Sequence, residues 1–200
     1  MERTVYIKSY KAPELNNKEI FRYARSGDDE QAASLLGECI DEAWDILSYK
    51  VCFRRFKLKR EGGGLDLGFA FSTSRSLSRC LDGCDEIILF AATVGVSLDR
   101  LIARYNVASP AKAIMLQALG SERVEALCDE FCKDISVLES EKGNALRPRF
   151  SPGYGDLSLE IQREIFSALD CTKNIGISLS DGLFMTPIKS VTAIIGIYSK

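Results

Sequence analysis

The segment Arg149-Phe150-Ser151-Pro152-Gly153-Tyr154-Gly155 carries the residue types in this chain that are best suited to binding a small ligand. The guanidinium of Arg149 can bind a carboxylate through two parallel hydrogen bonds. Gly153 has no Cβ to block the approach of a ligand to the backbone, and the ring of Tyr154 attracts cations. These groups predict a site for a small zwitterion with a carboxylate and a cation such as a sulfonium, although an ordinary turn explains the same local pattern.

A second segment, Met185-Thr186-Pro187-Ile188-Lys189-Ser190, follows after one short predicted helix. Its proline marks a bend between two strand-like runs, 179–185 and 190–198. Because only one helix separates the two segments, the chain can fold them back into a single pocket. The residues around this bend are therefore candidates for the wall of the same site.

The sequence contains no histidine, which narrows the chemistry that the chain can perform. Ser-His-Asp and Cys-His catalysis and imidazole metal sites are all excluded. Carboxylates, thiols or a bound cofactor must carry any reaction, and we assign no catalytic residue. The formal net charge of -2 gives no reason to expect a nucleic acid or a membrane as partner.

Seven cysteines raise the alternative of a metal site. Cys80 and Cys84 form one pair with three intervening residues, and Cys128 and Cys132 form another, so four thiolates could in principle hold zinc or an iron-sulfur cluster. Zinc ribbons use closer pairs, and Cys128 lies on an apolar helical stripe. We therefore expect no metal and buried or inert thiols, an interpretation that fits a cytoplasmic protein, as does a first octapeptide that lacks an apolar signal core.

The hydrophobic pattern predicts an α+β fold in a single domain, residues 1–200, with a twisted, mainly antiparallel sheet and helices packed against it. Residues 4–10, 51–60, 65–71, 86–93, 179–185 and 190–198 have the alternation or the continuous apolar character of strands. Residues 17–23, 30–49 and 74–81 have helical spacing, as do a helix that starts at Ser109-Pro110 and one that follows Ser158.

The run Glu61-Gly62-Gly63-Gly64 suggests a phosphate loop, but its surroundings do not fit one. Phosphate loops open a helix whose amide groups bind the phosphate, whereas here a second strand-like run follows. The glycines instead predict the turn of a β-hairpin. Another glycine, Gly95, follows the apolar strand 86–93, and with Thr93 it is a weaker candidate for ligand contact.

Taken together, the motifs resemble a known family. The pattern Arg149-x-x-x-Gly153-Tyr154, the helix after it and Met185-x-Pro187-x-x-Ser190-Val191 resemble the C-terminal half of the reactivation domain of cobalamin-dependent methionine synthase. The upstream run from Ala113 to Leu119 is similar to a helix of that family. The likeness extends from the middle of the chain to its end in the family's order, and it implies the same α+β fold.

The resemblance also implies roles for individual residues. Arg149 would bind the carboxylate of S-adenosylmethionine, Ser151 and Gly153 would offer backbone contacts, and Tyr154 would lie beside the ligand. Met185 and Ser190 would shape the wall. In the long helix, Glu125 would approach the ligand's amino group, with Glu122 as the alternative register and a solvent-exposed salt bridge as the plain alternative for either. The family contributes an aspartate from its N-terminal half, for which the sequence identifies no counterpart.

The function implied by the resemblance is accessory to a cobalamin-dependent methyltransferase. The chain would bind S-adenosylmethionine and assist reductive remethylation of cobalamin on a separate methionine synthase or other corrinoid protein, with a flavodoxin or ferredoxin-like protein as electron donor. Two alternatives remain open. One is a non-catalytic scaffold that keeps the fold without the ligand. The other is a methyltransferase that acts alone, which the lack of a glycine-rich nucleotide loop disfavours.

Overall fold

A five-stranded antiparallel sheet with strands in spatial order β1-β2-β6-β10-β7 forms the centre of the fold. The structure is a computed structural model that describes residues 4–200. The strands are β1 (Tyr6–Ser9), β2 (Lys50–Lys57), β3 (Lys59–Glu61), β4 (Gly64–Asp66), β5 (Phe71–Ser72), β6 (Glu86–Thr93), β7 (Asn144–Leu146), β8 (Ser178–Leu179), β9 (Met185–Thr186) and β10 (Ser190–Ser199). The helices are α1 (Asn17–Ala24), α2 (Glu30–Ala43), α3 (Arg75–Cys80), α4 (Ser97–Ala108), α5 (Pro110–Ser140), α6 (Gln162–Leu169) and α7 (Cys171–Ile175).

The central strand β6 is buried along almost its whole length because helices cover both faces of the sheet. Its side chains alternate between two apolar clusters: Ile88, Phe90 and Ala92 face one cluster, and Ile87 and Leu89 face the other. A strand covered on both sides needs apolar residues at every position. The prediction that residues 86–93 form a buried central strand is therefore confirmed, and so is the α+β class with antiparallel pairing.

The helices form two layers, and each layer packs on one of the two apolar clusters. Helices α1, α2, α4 and α5 contribute the side chains of the first cluster, whereas α3, α6 and α7 contribute those of the second. The 31-residue helix α5 is the longest of the described elements, and it begins at the predicted Ser109-Pro110 start. It spans the first layer and contacts α1, α2 and α4.

Several predicted elements differ in extent from the observed ones. The run 51–60 is not one strand, because it divides into β2 of the central sheet and β3 of a small separate sheet. The helix predicted over 30–49 ends at Ala43 and continues as one 3₁₀ turn. The strand predicted over 179–185 is wrong, because this stretch is a small hairpin in which β8 pairs with β9. The strand predicted over 4–10 is observed as β1, while residues 1–3 of the first octapeptide lie outside the described residues.

In the part of the chain that the structure describes, no helix combines the length and apolar character needed to cross a bilayer.

The glycine run forms the predicted hairpin turn, between β3 and β4, and its last glycine allows β5 to approach closely. A Cβ built on Gly64 would lie 2.6 Å from the carbonyl oxygen of Ser72 and 2.7 Å from the ring of Phe71. Backbone cannot yield as a flexible side chain does, so residue 64 must lack a side chain for β4 and β5 to pair. In helix α2, by contrast, Gly37 has no atom within 4 Å of its Cβ position.

We therefore expect Gly64→Ala and Gly37→Ala to change stability in opposite directions. The alanine at 64 should lower the free energy of unfolding by about 1–3 kcal/mol through overpacking. The alanine at 37 should raise it by about 0.5–1 kcal/mol because glycine is a poor helix former. Urea denaturation followed by circular dichroism measures both, and equal stability of the two variants would contradict the close approach of β5.

Candidate functional site

A cavity lies beside Arg149. It has a volume of about 640 Å³ and lies between the segment that leads into α1, one side of α5 and the extended segment after β7 that carries Arg149. Its lining consists of Pro13, Glu14, Leu15, Asn16, Glu19, Tyr23, Glu122, Glu125, Ala126, Asp129, Glu130, Lys133 and Arg149.

Backbone pairing of the segment after β7 with β10 orients the side chain of Arg149 toward this cavity. The segment after β7 continues along β10, where the Arg147 N–H donates to the Gly196 carbonyl (2.9 Å) and Phe150 pairs with Ile194 in both directions (2.8 and 2.9 Å). Phe150 packs on the second cluster. Since neighbouring residues of an extended chain point to opposite faces, the side chain of Arg149 points to the first layer and meets α5.

Two carboxylates of α5 hold the guanidinium of Arg149. Its Nη2 donates to Glu125 Oε2 at 2.6 Å, and its Nη1 donates to Asp129 Oδ1. These two residues are four apart, one helical turn, so both carboxylates lie on the same side of α5. The Arg149 side chain is 25% exposed and is thus neither free in solvent nor fully enclosed.

The electrostatic balance keeps this guanidinium charged. Burial opposes its charge, but the hydrogen bond that it donates to Asp129 and the nearby negative groups outweigh burial and raise the pKa of Arg149 above its ordinary value. Beside it, burial raises the pKa of the Cys128 and Cys132 thiols, and the positive charge of Arg149 only partly opposes that effect. Both thiols are therefore neutral neighbours of a permanent cation.

Negative charge dominates the rest of the cavity. Six carboxylates face two cations in its lining: Glu14, Glu19, Glu122, Glu125, Asp129 and Glu130 against Lys133 and Arg149. Within residues 4–200, no group of three or more acidic or thiol side chains has an arrangement that suits a metal ion. The excess of carboxylates in the lining suits a positively charged ligand.

A buried ion pair in α5 builds the N-terminal wall of the cavity. Arg123 is fully buried and pairs with Glu122, with Nε at 2.5 Å from Oε2 and Nη2 at 2.6 Å from Oε1. The same guanidinium donates to the carbonyls of Pro13 (2.6 Å) and Glu14 (2.7 Å). Glu122 in turn accepts from the Asn16 N–H at 3.1 Å, and Asn16 caps α1.

The structure separates the two glutamates between which the sequence left the choice open. Glu125 lies against Arg149 in a partly exposed salt bridge. The plain alternative of a solvent-exposed salt bridge does not hold for Glu122, because Glu122 is only 4% exposed. Its carboxylate is required to neutralise the buried charge of Arg123, so it lines the cavity as a structural group.

Ser151, Gly153 and Tyr154 lie together in a tight turn just beyond Arg149. The Tyr154 N–H donates to the Ser151 carbonyl (3.3 Å), and the Gly153 N–H donates to the Leu157 carbonyl (2.8 Å). Gly153 has φ +88°, a left-handed conformation that favours glycine. The side chain of Tyr154 is 69% exposed, so its ring is accessible from solvent.

Met185 and Ser190 are not among the residues that line the cavity around Arg149. Met185 packs against the second cluster, on the opposite layer from Glu125. The buried hydroxyl of Ser190 lies 2.7 Å from the Pro187 carbonyl and 2.9 Å from Thr93 Oγ1. Thr93 Oγ1 also accepts from the Gly95 N–H at 3.2 Å. The groups at this corner therefore bond to one another.

Sequence reasoning missed two parts of the cavity. Asp129 has a local signal, since it stands one helical turn after Glu125, and that spacing alone could have paired both with one cation. The wall formed by residues 13–19 has no such signal. Its position depends on a contact between backbone carbonyls and Arg123, more than 100 residues away in sequence, and backbone acceptors are the same in every residue type.

The chain matches a known family and a solved structure. The family described as "Vitamin B12 dependent methionine synthase, activation domain" matches residues 79–199, more than half of the chain. Among solved structures, the chain is similar to "Crystal Structure of the MetH Reactivation Domain bound to AdoHcy", with a TM-score of 0.68 and 16% sequence identity. The alignment covers 96% of this chain and 78% of that one, and at this identity it shows a shared fold. No curated protein matches the chain.

The Arg123 pair generates a stability prediction. Replacing Arg123 by methionine leaves the buried carboxylate of Glu122 without its counter-ion, so the free energy of unfolding should fall by about 3–5 kcal/mol. The control is Arg22→Met, which removes an exposed pair with Glu19 three residues away on α1 and should leave the unfolding midpoint unchanged. Urea denaturation measures the unfolding midpoint of each variant. A midpoint for Arg123→Met equal to that of Arg22→Met would contradict a stabilising role for the Arg123–Glu122 pair.

Proposed function

The chain belongs to the activation-domain family of vitamin B12 dependent methionine synthase, and from this membership we propose that it binds S-adenosylmethionine in the cavity around Arg149. We further propose that it assists reductive remethylation of cobalamin on a separate methionine synthase or other corrinoid protein. The proposal treats residues 1–200 as one activation domain. The observation that carries it is the contact of Arg149 with Glu125 at the edge of an acidic cavity.

The charges of the ligand match those of the cavity. In the proposed complex the ligand carboxylate binds the fork of Arg149 through two parallel hydrogen bonds. Glu125, already within 2.6 Å of that guanidinium, receives the ligand's ammonium group. The excess of carboxylates in the lining attracts the positive sulfonium. A solved structure with the same fold is described as bound to AdoHcy, the demethylated relative of this ligand, which supports the assignment.

The remaining predicted site residues extend the proposal beyond the cavity. Ser151 and Gly153 would contact the ligand through their backbone carbonyls, since the Gly153 N–H is already used within the turn. The exposed ring of Tyr154 would face the sulfonium. Ser190 would act at a distance, by fixing the bend at Pro187 against Thr93. Met185 would support the same bend from the second cluster, against which it packs.

Exposed apolar side chains near the turn suit the docking of a corrinoid partner. Tyr154 (69% exposed), Leu159 (46%) and Phe184 (77%) all project into solvent. Contacts connect their positions, because Leu159 lies against Gly153 and Arg163, one turn further on, donates to the carbonyl of Asp181 beside Phe184. Exposed apolar side chains grouped in this way mark interaction surfaces. We assign this surface to the cobalamin-carrying protein.

In this proposal the residues of the chain bind and orient, and the cofactor of the partner supplies the methyl-transfer chemistry. Arg149 and Glu125 would hold the two ends of the amino acid group, which fixes the direction of the sulfonium methyl. Such positioning raises the effective concentration of the methyl group at its acceptor. The electron would come from a flavodoxin or ferredoxin-like donor.

Calorimetric titration of S-adenosylmethionine tests the proposal. We expect wild type to bind, and Arg149→Ala to bind roughly 10- to 100-fold more weakly, since charge-assisted hydrogen bonds contribute about 1.5–3 kcal/mol. The control is Arg163→Ala, which removes an exposed arginine paired with Glu160. Circular dichroism confirms that each variant is folded.

Each outcome selects one function. Binding that is lost only in Arg149→Ala supports the activation-domain role. No heat of binding in wild type would refute it and leave a scaffold that keeps the fold. Turnover to S-adenosylhomocysteine without any corrinoid protein would instead indicate an independent methyltransferase.

The contact of Arg149 with Asp129 generates a second prediction for the same titration. Asp129 occupies the guanidinium that the ligand carboxylate requires, so Asp129→Asn should tighten binding about 2- to 5-fold, as expected for release of a partly exposed ion pair. Glu130→Gln is the matched control. It removes the same charge from the same lining, but Glu130 pairs with Lys133 and not with Arg149. Equal weakening in both variants would contradict the competition.

A further inference from the structure

A second cavity lies on the other side of the molecule from the helix α5 layer, between the β3–β4 hairpin and α3. Its volume is about 680 Å³. Its charged lining residues are Arg60, Glu61, Arg75 and Arg79, and Gly62 and Gly63 form part of the opposite wall. Three arginines thus face one glutamate, so this cavity has the opposite sign of charge from the cavity around Arg149.

Hydrogen bonds to α3 hold Arg60 in a fixed position. Its Nη1 donates to Ser78 Oγ at 2.9 Å, and its Nη2 donates to the carbonyl of Leu81 at 2.8 Å and to that of Ser78 at 3.4 Å. A guanidinium has five N–H donors, so donors remain for another acceptor. The nearest carboxylate, Asp82, is 3.8 Å away with a side chain that is 82% exposed, which makes it a weak competitor.

Arg75 and Arg79 have no such partner. They stand four residues apart on α3 and therefore lie on the same side of it. Neither side chain forms an ion pair or a hydrogen bond with any residue between 4 and 200. Two guanidinium groups without counter-ions next to a third that is anchored form a strong attraction for a polyvalent anion.

The first turn of α3 does not contribute to this attraction. Ser74 Oγ accepts from the Leu77 N–H, and the carboxylate of Asp156 accepts from the Arg75 N–H (2.8 Å) and the Ser76 N–H (3.0 Å). These bonds lower the pKa of Asp156, led by the hydrogen bond from the Ser74 hydroxyl. The amide groups of the helix start are already occupied by a carboxylate, so the arginine side chains are what define the site.

The glycine turn leaves the opposite wall of the cavity open. Gly62 and Gly63 have φ +60° and +76°, and the Cβ position of Gly63 has no atom within 4 Å. A ligand can therefore approach the backbone of the turn directly. The sequence excluded a phosphate loop here because no helix follows the glycines, and the fold supplies the arginines of α3 from a later part of the chain instead.

We propose that this cavity, here termed the arginine cavity and defined by Arg60, Arg75 and Arg79, binds the diphosphate group of a small molecule. Guanidinium groups bind phosphate oxygens in pairs of parallel hydrogen bonds, and three of them against one carboxylate match a polyvalent anion. A concave shape favours a small ligand over the flat contact of an acidic protein. The site is independent of the proposed binding of S-adenosylmethionine.

Titration with inorganic pyrophosphate at constant ionic strength tests the proposal. We expect saturable binding to wild type and at least a 10-fold higher Kd for the double variant Arg75→Gln/Arg79→Gln. Neither side chain supports the helix cap, so the variant should fold, which circular dichroism and thermal melting verify. The matched control is Arg100→Gln/Arg104→Gln, two exposed arginines with the same spacing on α4, for which Kd should change less than twofold.

Several results would overturn the proposal. The first is the absence of saturable binding of pyrophosphate to wild type, and the second is an equal loss of affinity for pyrophosphate in both double variants. The third is that a deca-aspartate peptide binds more tightly than pyrophosphate and that pyrophosphate displaces it. The last result would make the arginine cavity a docking surface for an acidic protein. Adenosine diphosphate serves as a second probe. Tighter binding than pyrophosphate, lost in the same variant, supports a nucleotide, and equal binding supports the diphosphate group alone.

Discussion

The ion pair between Arg123 and Glu122 is the interaction on which the geometry of the candidate site depends. A fully buried guanidinium is tolerated only when its donors are satisfied, and here a carboxylate and two backbone carbonyls satisfy them. Those carbonyls belong to the segment that leads into α1. The requirement to neutralise one buried charge thus helps to hold this N-terminal stretch, whose Leu15 also packs against the first cluster, across the face of α5.

The same helix presents two other acids, Glu125 and Asp129, to Arg149. These two acids differ from Glu122 in their exposure to solvent. Glu122 is enclosed and its partner is fixed, whereas Glu125 and Asp129 are 42% and 60% exposed. Partly exposed pairs exchange partners at small free-energy cost, so the guanidinium of Arg149 can pass from one carboxylate to another. The enclosed pair that stabilises the fold and the contacts of the proposed ligand thus lie on neighbouring turns of one helix.

The sequence predicted those features whose causes are local. The continuous apolar run of β6 and the proline at the start of α5 gave correct elements, and the family pattern selected Arg149 and Glu125, two residues whose side chains are in contact. Contacts between residues far apart in the chain could not be predicted from the sequence. The run 51–60 divides because Lys57 pairs with Glu86 in one sheet and Lys59 with Asp66 in another. The burial of Glu122 could not be foreseen, because a glutamate outside the apolar stripe of a helix is usually exposed.

Helix α5 carries Glu122, Arg123, Glu125 and Asp129 within a little over two turns. This arrangement restricts insertions and deletions in that part of the helix. One inserted residue in an α-helix rotates everything after it by about 100°. An insertion between Arg123 and Glu125 would keep the enclosed pair but turn the other two acids away from the strand edge. The number of residues between the enclosed pair and the two partly exposed acids is therefore as constrained as the identity of those four side chains.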